Sequence, residues 1–319
     1  RYGGNIRAKV ADLALVFGGG GEVGLGERAC PGKHPPSMRD EAGGSPGNNP
    51  SSLGIARSYA MNLKLWAGLI VAVAIPAHAQ TACAFKPWTT YQTTNLLRHE
   101  SVNAYIFQSR HIQIDADGAP NAYHPSDAGK NCKTDVFIGL DCLSNAGRHS
   151  IARQPPSVGP RYVQEYGPFQ GIHVSMTSLM DETKAHTDPA RYVDASTVPY
   201  FVFPGDFYRM AGTGVVGDVG YAINLSNGSR SPFVVAETGL EHAPLGEMCI
   251  ALAAALGGVN PNARTGRGAP QGTILYVLFP RSLGNPPWPV PAKDLTERAV
   301  KLLASVGGEA SLLACSDSK

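Results

Sequence analysis

GDVGYAINLSNGSRSPFVVAETG, residues 217–239, is the stretch on which the fold reading turns. Two short runs of β-branched, aromatic and aliphatic residues, Val219–Asn224 (VGYAIN) and Pro232–Ala236 (PFVVA), flank Asn227-Gly228. Asn-Gly between two such runs is a strong hairpin signal, because both residues accept the positive φ that a tight connection needs. Asp218, in Gly217-Asp218-Val219-Gly220, reads as a turn residue rather than a catalyst, since Asp side chains bond their own turns. Further runs of the same kind lie at Ala104–Gln108 (AYIFQ), Gly171–Ser175 (GIHVS), Pro199–Phe203 (PYFVF) and Thr273–Phe279 (TILYVLF). Short strands between Gly- and Pro-rich turns predict a mainly β single domain, a barrel or sandwich with long loops. Two helices are expected. Gly246–Leu256 (GEMCIALAAAL) is rich in strong helix formers and stops at Gly257-Gly258. Asp294–Val306 has an apolar stripe, a capping aspartate with Glu297 three residues on, and a stop at Gly307-Gly308.

The first 79 residues read differently. Met61-Asn62-Leu63-Lys64, the apolar run Leu65–Ile75 and Pro76-Ala77-His78-Ala79 supply a basic start, a short core and an A-x-A site. These are the three parts of a secretory signal, and the run is too short to span a bilayer as a helix. Residues 61–79 are therefore expected to be a signal peptide cut after Ala79. Residues 1–60 are expected to be a spurious or disordered upstream extension. Gly19–Gly24 fits G-x-G-x-x-G, but a Pro- and Gly-rich stretch follows where a helix and an acidic residue are required, so no nucleotide site is expected.

Residues 80–319 then form the working domain. The chain has 27 Lys+Arg and 25 Asp+Glu; residues 1–79 hold 8 and 5, leaving 19 and 20 and a net charge of −1. Nothing in that balance points to nucleic acid or to a membrane surface. Five cysteines remain. Cys132 and Cys142 flank a short polar loop, Cys83 and Cys315 stand near the two ends, and Cys249 lies in an apolar run. Export makes disulfides Cys132–Cys142 and Cys83–Cys315 the expected pairs, with Cys249 a free core thiol. No zinc pattern occurs, and no metal or cofactor is expected.

Three acidic clusters stand out: Asp115/Asp117 in IDADG, Asp218 in GDVG, and Glu237 followed ten residues later by Glu247. Glu237 ends an apolar strand, and Glu247 is expected in the first turn of the Ala-rich helix. A strand-end and a helix-start carboxylate joined by a short loop can face one cleft, which is what glycoside hydrolysis requires: one proton donor and one group that activates water. The plainer reading is that Glu247 serves the helix dipole and Glu237 merely ends a strand.

The blocks IDADGAPNAYHP (114–125), YVDASTVPYFVFPG (192–205), VVAETG (234–239), LGEMCIALAAALG (245–257) and LYVLFP (275–280) resemble the glycoside hydrolase family 75 chitosanases and their bacterial secreted relatives. The resemblance covers about residues 104–308. It implies an inverting pair with Glu247 as general acid and Glu237 as general base, acting on chitosan or a related amino-sugar polysaccharide. Two positions depart from the family pattern: Glu237 stands where the family has Asp, and Cys249 where Ser is usual. Glu241 is the alternative base, and His242 reads as a loop residue. Asp115 and Asp117 either bind amino groups of a cationic sugar or form an Asx-type turn. Asp194 is a turn residue first and a substrate contact second. Tyr123, Tyr200 and Trp288 are candidates for stacking on sugar rings. By analogy the fold is a small double-psi-like β-barrel with two or three helices. The reading implies a secreted monomer with a polysaccharide partner. The competing readings are a carbohydrate-binding relative without catalysis and a barrel-type transglycosylase acting on peptidoglycan.

Overall fold

The computed structural model describes residues 83–316; the expected signal peptide and upstream extension lie outside the described residues. The chain is mainly β. Nine strands form one mixed sheet: β1 (Phe85–Tyr91), β2 (Thr94–His99), β3 (Tyr105–Ser109), β4 (Gln113–Asp115), β5 (Tyr200–Phe203), β6 (Val219–Asn224), β7 (Arg230–Thr238), β8 (Glu247–Cys249) and β9 (Ile274–Phe279). Their order is β1-β2-β3-β9-β6-β7-β5-β8-β4. β7–β5 and β8–β4 pair in parallel, and every other pair is antiparallel.

The hairpin forms where the sequence signals it. β6 pairs with β7, Gly228 turns at φ 74°, and its N–H donates to the Asn224 carbonyl at 2.8 Å. β5, β6 and β9 are buried along their whole length, which explains why YFVF, VGYAIN and ILYVLF read as continuous apolar runs rather than alternating ones. Phe107, Phe201, Phe233 and Tyr276 form the centre of the core, with ring centroids 4.9–6.2 Å apart.

Several expectations need correction. GIHVS makes only isolated bridges through His173 and Ser175. β1 and β2, too polar on both faces to announce themselves, form an edge hairpin. Among the described residues there are four α-helices, where the two periodic segments signalled two: α1 (Gly205–Arg209), α2 (Ile250–Ala255), α3 (Ala292–Ser305) and α4 (Gly308–Ser316). α3 starts at Pro291 without a side-chain cap, so Asp294 sits in its first turn instead of capping it. No single helix among the described residues is long and apolar enough to cross a membrane, and α3 and α4 bury Leu295, Ala299, Leu303 and Leu312 in the core.

Residues 116–199, between β4 and β5, hold almost no regular structure. Bridges Ile151–Ser175, Arg153–Arg161, Val163–His173 and Met180–Tyr192 stitch this excursion together. Asp127 accepts from the Gly139 N–H at 2.8 Å and from Lys130 Nζ at 2.6 Å, pinning the loop that the Cys132–Cys142 disulfide closes. A second disulfide joins Cys83, just ahead of β1, to Cys315 in α4, and Cys249 is a buried free thiol. Both expected pairs are present, as befits an oxidising compartment.

Candidate active site

Glu237 and Glu247 stand on either side of one strand. Val202 of β5 is the register partner of Glu237 on β7, and Phe201 pairs with Met248 on β8. One step along the antiparallel β5–β8 pair, Val202 lies beside Glu247. The row Glu237, Val202, Glu247 thus crosses three strands, and two strand spacings separate the outer Cα atoms by about 9–10 Å. A bulge creates this row. Phe201 pairs with Val235 and Val202 with Glu237, so Ala236 is the extra residue. In a regular ladder Ala236 would stand beside Val202; the bulge re-aims the strand end and brings Glu237 there. The Ala236 carbonyl is taken by the Leu179 N–H at 2.8 Å, so the excursion is hydrogen-bonded to the bulge.

Gly239 keeps the site open. A Cβ there would come within 2.9 Å of Glu247 Oε2 and 3.1 Å of Val202 Cγ1, so a side chain would displace the carboxylate. Glu247 occupies strand β8, not the first turn of a helix, which removes the helix-dipole explanation for it. Gln113, its register partner on β4, donates to Glu247 Oε1 at 3.3 Å. The helix is capped by Cys249, whose sulfur accepts the Leu252 N–H at 3.3 Å. Cys249 also accepts the Tyr200 N–H at 3.1 Å and donates to the Val198 carbonyl, so its work is structural.

Glu237 is 7 % exposed. Ser178 donates to it twice, from N–H at 2.7 Å and from Oγ at 2.6 Å, and the Thr238 N–H donates at 2.8 Å. Burial pushes its pKa up to about 7, while the Ser178 and Thr238 bonds hold it down and neighbouring Asp115 raises it. Glu247 goes further, to about 8, through burial first and then the charges of Asp115, Glu237 and Asp141. Glu237 accepts three close hydrogen bonds that favour its anion and Glu247 one long one, and Glu247 also feels three carboxylates, so it is raised further.

Asp115 and Asp117 lie behind this pair. Asp115 accepts the Asp117 N–H at 2.9 Å, which is the Asx-type turn, and the Tyr200 hydroxyl at 2.9 Å. Asp117 accepts hydroxyls from Tyr123 and Ser150, each at 2.6 Å, and its pKa is well raised by burial and by Asp115 and Glu237. Both aspartates are buried and their side chains are occupied by protein donors. Tyr123 is 2 % exposed, so its ring offers no face for a sugar; it positions Asp117 instead. Tyr200, also buried, positions Asp115, and Trp288 packs partly buried against the core. Asp194 accepts the Ser196 N–H and the Thr197 hydroxyl, which is turn chemistry. Asp218 accepts three backbone N–H groups, from Val215, Ser282 and Leu283, and so ties two loops together. Glu241 is exposed and ion-paired with Arg209 of α1, while His242 pairs with Asp206; neither joins the row.

Three contributors had no sequence signal. Ser178 lies in the excursion, Gln113 on a three-residue strand, and Asp141, pushed up to about 6 by burial, next to a disulfide cysteine. The β4–β8 pairing reveals Gln113, the excursion's bonds to the β7 strand end reveal Ser178, and the charge on Glu247 reveals Asp141. Among the described residues no group of three or more His, Cys, Asp or Glu side chains is arranged to hold a metal ion. No protein-family model matches the chain, and a search of curated proteins found no match.

Proposed function

We propose that the protein is a secreted, endo-acting glycoside hydrolase of the chitosanase type, cleaving chitosan or a related amino-sugar polysaccharide. The observation that carries this reading is the row Glu237, Val202, Glu247, whose two carboxyl groups titrate near 7 and near 8. Both carboxyls are raised, and Glu237, which accepts three hydrogen bonds that favour its anion, is the better placed base, while Glu247, raised by burial and by the charges of Asp115, Glu237 and Asp141, is the better placed acid. Glu247 gives its proton to the leaving glycosidic oxygen. Glu237 takes a proton from a water whose oxygen attacks the anomeric carbon from the opposite face. The product inverts, as a direct displacement by water requires. The mixture of parallel pairs β7–β5 and β8–β4 with the hairpin is the feature in favour of a small double-psi-like barrel, while the strand order is open, with β1 and β4 at its edges. The two disulfides support export.

The test is release of reducing sugar from chitosan and from partly acetylated amino-sugar polymers. Glu247→Gln should reduce it by about 10²–10⁴-fold, with polymer binding retained. Unchanged release removes Glu247 from the mechanism. Wild-type binding without release under all conditions favours a carbohydrate-binding protein, and anhydro-sugar products favour a transglycosylase. The pH profile of kcat/KM should be bell-shaped with limbs near 7 and 8, rising with Glu237 ionisation and falling as Glu247 loses its proton.

A further inference from the structure

Beside Glu237 lies a cleft of about 380 Å³, and Ser178 belongs to both: it donates to the Glu237 carboxylate and lines the cleft wall. The rest of the polar lining is neutral hydroxyl groups, Ser157, Thr177 and Tyr192, and basic side chains. Arg148, His149, Arg153, His186 and Arg191 contribute to it, and none of its lining residues is an Asp or Glu. Residues 80–319 carry nearly balanced charge, with 19 basic and 20 acidic side chains, so this concentration of guanidinium groups is local. None of the three arginines makes an ion pair among the described residues.

Two of the arginines are held in place by neutral acceptors. Arg153 donates to the Gly159 carbonyl at 2.9 Å, and Arg191 to the Met180 sulfur at 3.0 Å and to the Lys184 carbonyl. His186 gives its Nε2 proton to the Arg153 carbonyl at 2.6 Å, which fixes that strand of the wall. Asp181 is the carboxylate that Arg191 senses, and its Oδ1 is committed to Thr183. Arg148 is exposed, with no hydrogen bond from its guanidinium. Positive charges positioned by neutral partners are not neutralised within the fold. A planar guanidinium fork fits a carboxylate through two parallel hydrogen bonds, whereas a protonated amine there meets like charge.

We infer that the cleft is a subsite for a carboxylate-bearing glycan, so the amino-sugar polymer that crosses Glu237 and Glu247 carries acidic substituents rather than free amines alone. This rests on the reading of those two glutamates as the hydrolytic pair. It also separates this protein's substrate from plain chitosan, whose amines would be repelled at the cleft.

The test uses the full chain carrying Glu247→Gln, so that turnover does not intrude. Calorimetry compares oligosaccharides of one length: carboxymethylated chitin, neutral chitin and chitosan. The carboxymethylated ligand should bind about tenfold or more tighter than the neutral one, with chitosan weakest, and the advantage should shrink between about 50 and about 500 mM salt as screening sets in. Adding Arg148→Glu should remove about tenfold of the preference. Lys301→Glu, the same charge change on α3 outside the cleft, should keep it. Equal or tighter chitosan binding, equal effects of the two charge reversals, or no binding of any of the three overturns the subsite. Wild-type turnover is scored separately. If the binding order holds and no glycan is cleaved, the hydrolytic reading fails while the subsite stands.

Discussion

In the sheet, β5, β6 and β9 are buried along their whole length and four aromatic rings meet at their centre. Residues 116–199 send Tyr123, Ile151, Leu179 and Val193 into that same core, keep a small cluster of their own in Ala152, Val174 and Tyr192, and are otherwise held by isolated bridges, carboxylate caps and a disulfide. The sheet gets its shape from area removed from water; the excursion shares some of that burial and adds directed polar bonds where regular pairing is missing. The two glutamates belong to the first region, while Ser178, which holds one of them, and the basic cleft belong to the second. A rigid scaffold carries the reacting groups, and a long irregular segment sets their surroundings, as loops of this length commonly do.

The largest expected effect separates the two staples. Reduction of Cys83–Cys315, which spans 232 residues, should cost up to about 5 kcal/mol if loop entropy dominates; opening Cys132–Cys142, which spans 10, should cost up to about 3. Denaturation of the Cys83→Ser/Cys315→Ser and Cys132→Ser/Cys142→Ser variants measures both. A larger loss from the short loop would mean that the excursion depends on its bond through folded-state contacts.

Next come the two cores. Phe233→Ala should lose about 3–5 kcal/mol in chemical denaturation, and Val174→Ala about 1–2, because fewer neighbours surround the latter. Equal losses would erase the distinction between a main core and a satellite.

The same contrast shows in what the sequence made legible. VGYAIN, PFVVA, PYFVF and TILYVLF announced strands because full burial demands uninterrupted apolar residues, and Asn227-Gly228 announced its turn. Glu237 and Glu247 were legible through their neighbours. The strand around Glu247 was not: EMC is three residues long, sits before ALAAAL, and is extended only because it pairs with Gln113–Asp115 and Phe201. The Ala-rich segment therefore looked helical too early. The excursion gave almost no signal, since bonds such as Ser178 to Glu237 link residues 59 apart and leave no local pattern.

A smaller effect comes from protons. Glu247 binds its proton more tightly folded than unfolded, since burial raises its pKa from 4.5 to about 8. Its favourable contribution is whole below about pH 4.5 and is lost as pH rises through 8. Glu247→Gln should therefore gain on wild type across that window, by up to a few kcal/mol in thermal or urea unfolding near pH 8.5. A difference that stays flat with pH would show that Glu247 is solvated in the folded state.

The smallest effect links the regions directly. Ser178→Ala removes the hydroxyl bond that favours the Glu237 anion and keeps the backbone one. The acidic limb of the kcat/KM profile should move upward by about half to one pH unit, with the alkaline limb unmoved. A shift of both limbs, or of neither, would detach Ser178 from the base.

The bond between Cys83 and Cys315 also imposes an order of events. Among the described residues one partner lies ahead of the first strand and the other in the last helix, so ribosomal synthesis delivers them 232 residues apart. Cys132 can find Cys142 as soon as ten more residues have emerged. Cys83 must wait as a thiol until α4 has been made, moved and docked. Its closure then follows the docking of α4, and a chain stalled between Cys249 and Cys315 carries Cys83 as a second unpaired thiol beside the Cys249 that stays free in the fold.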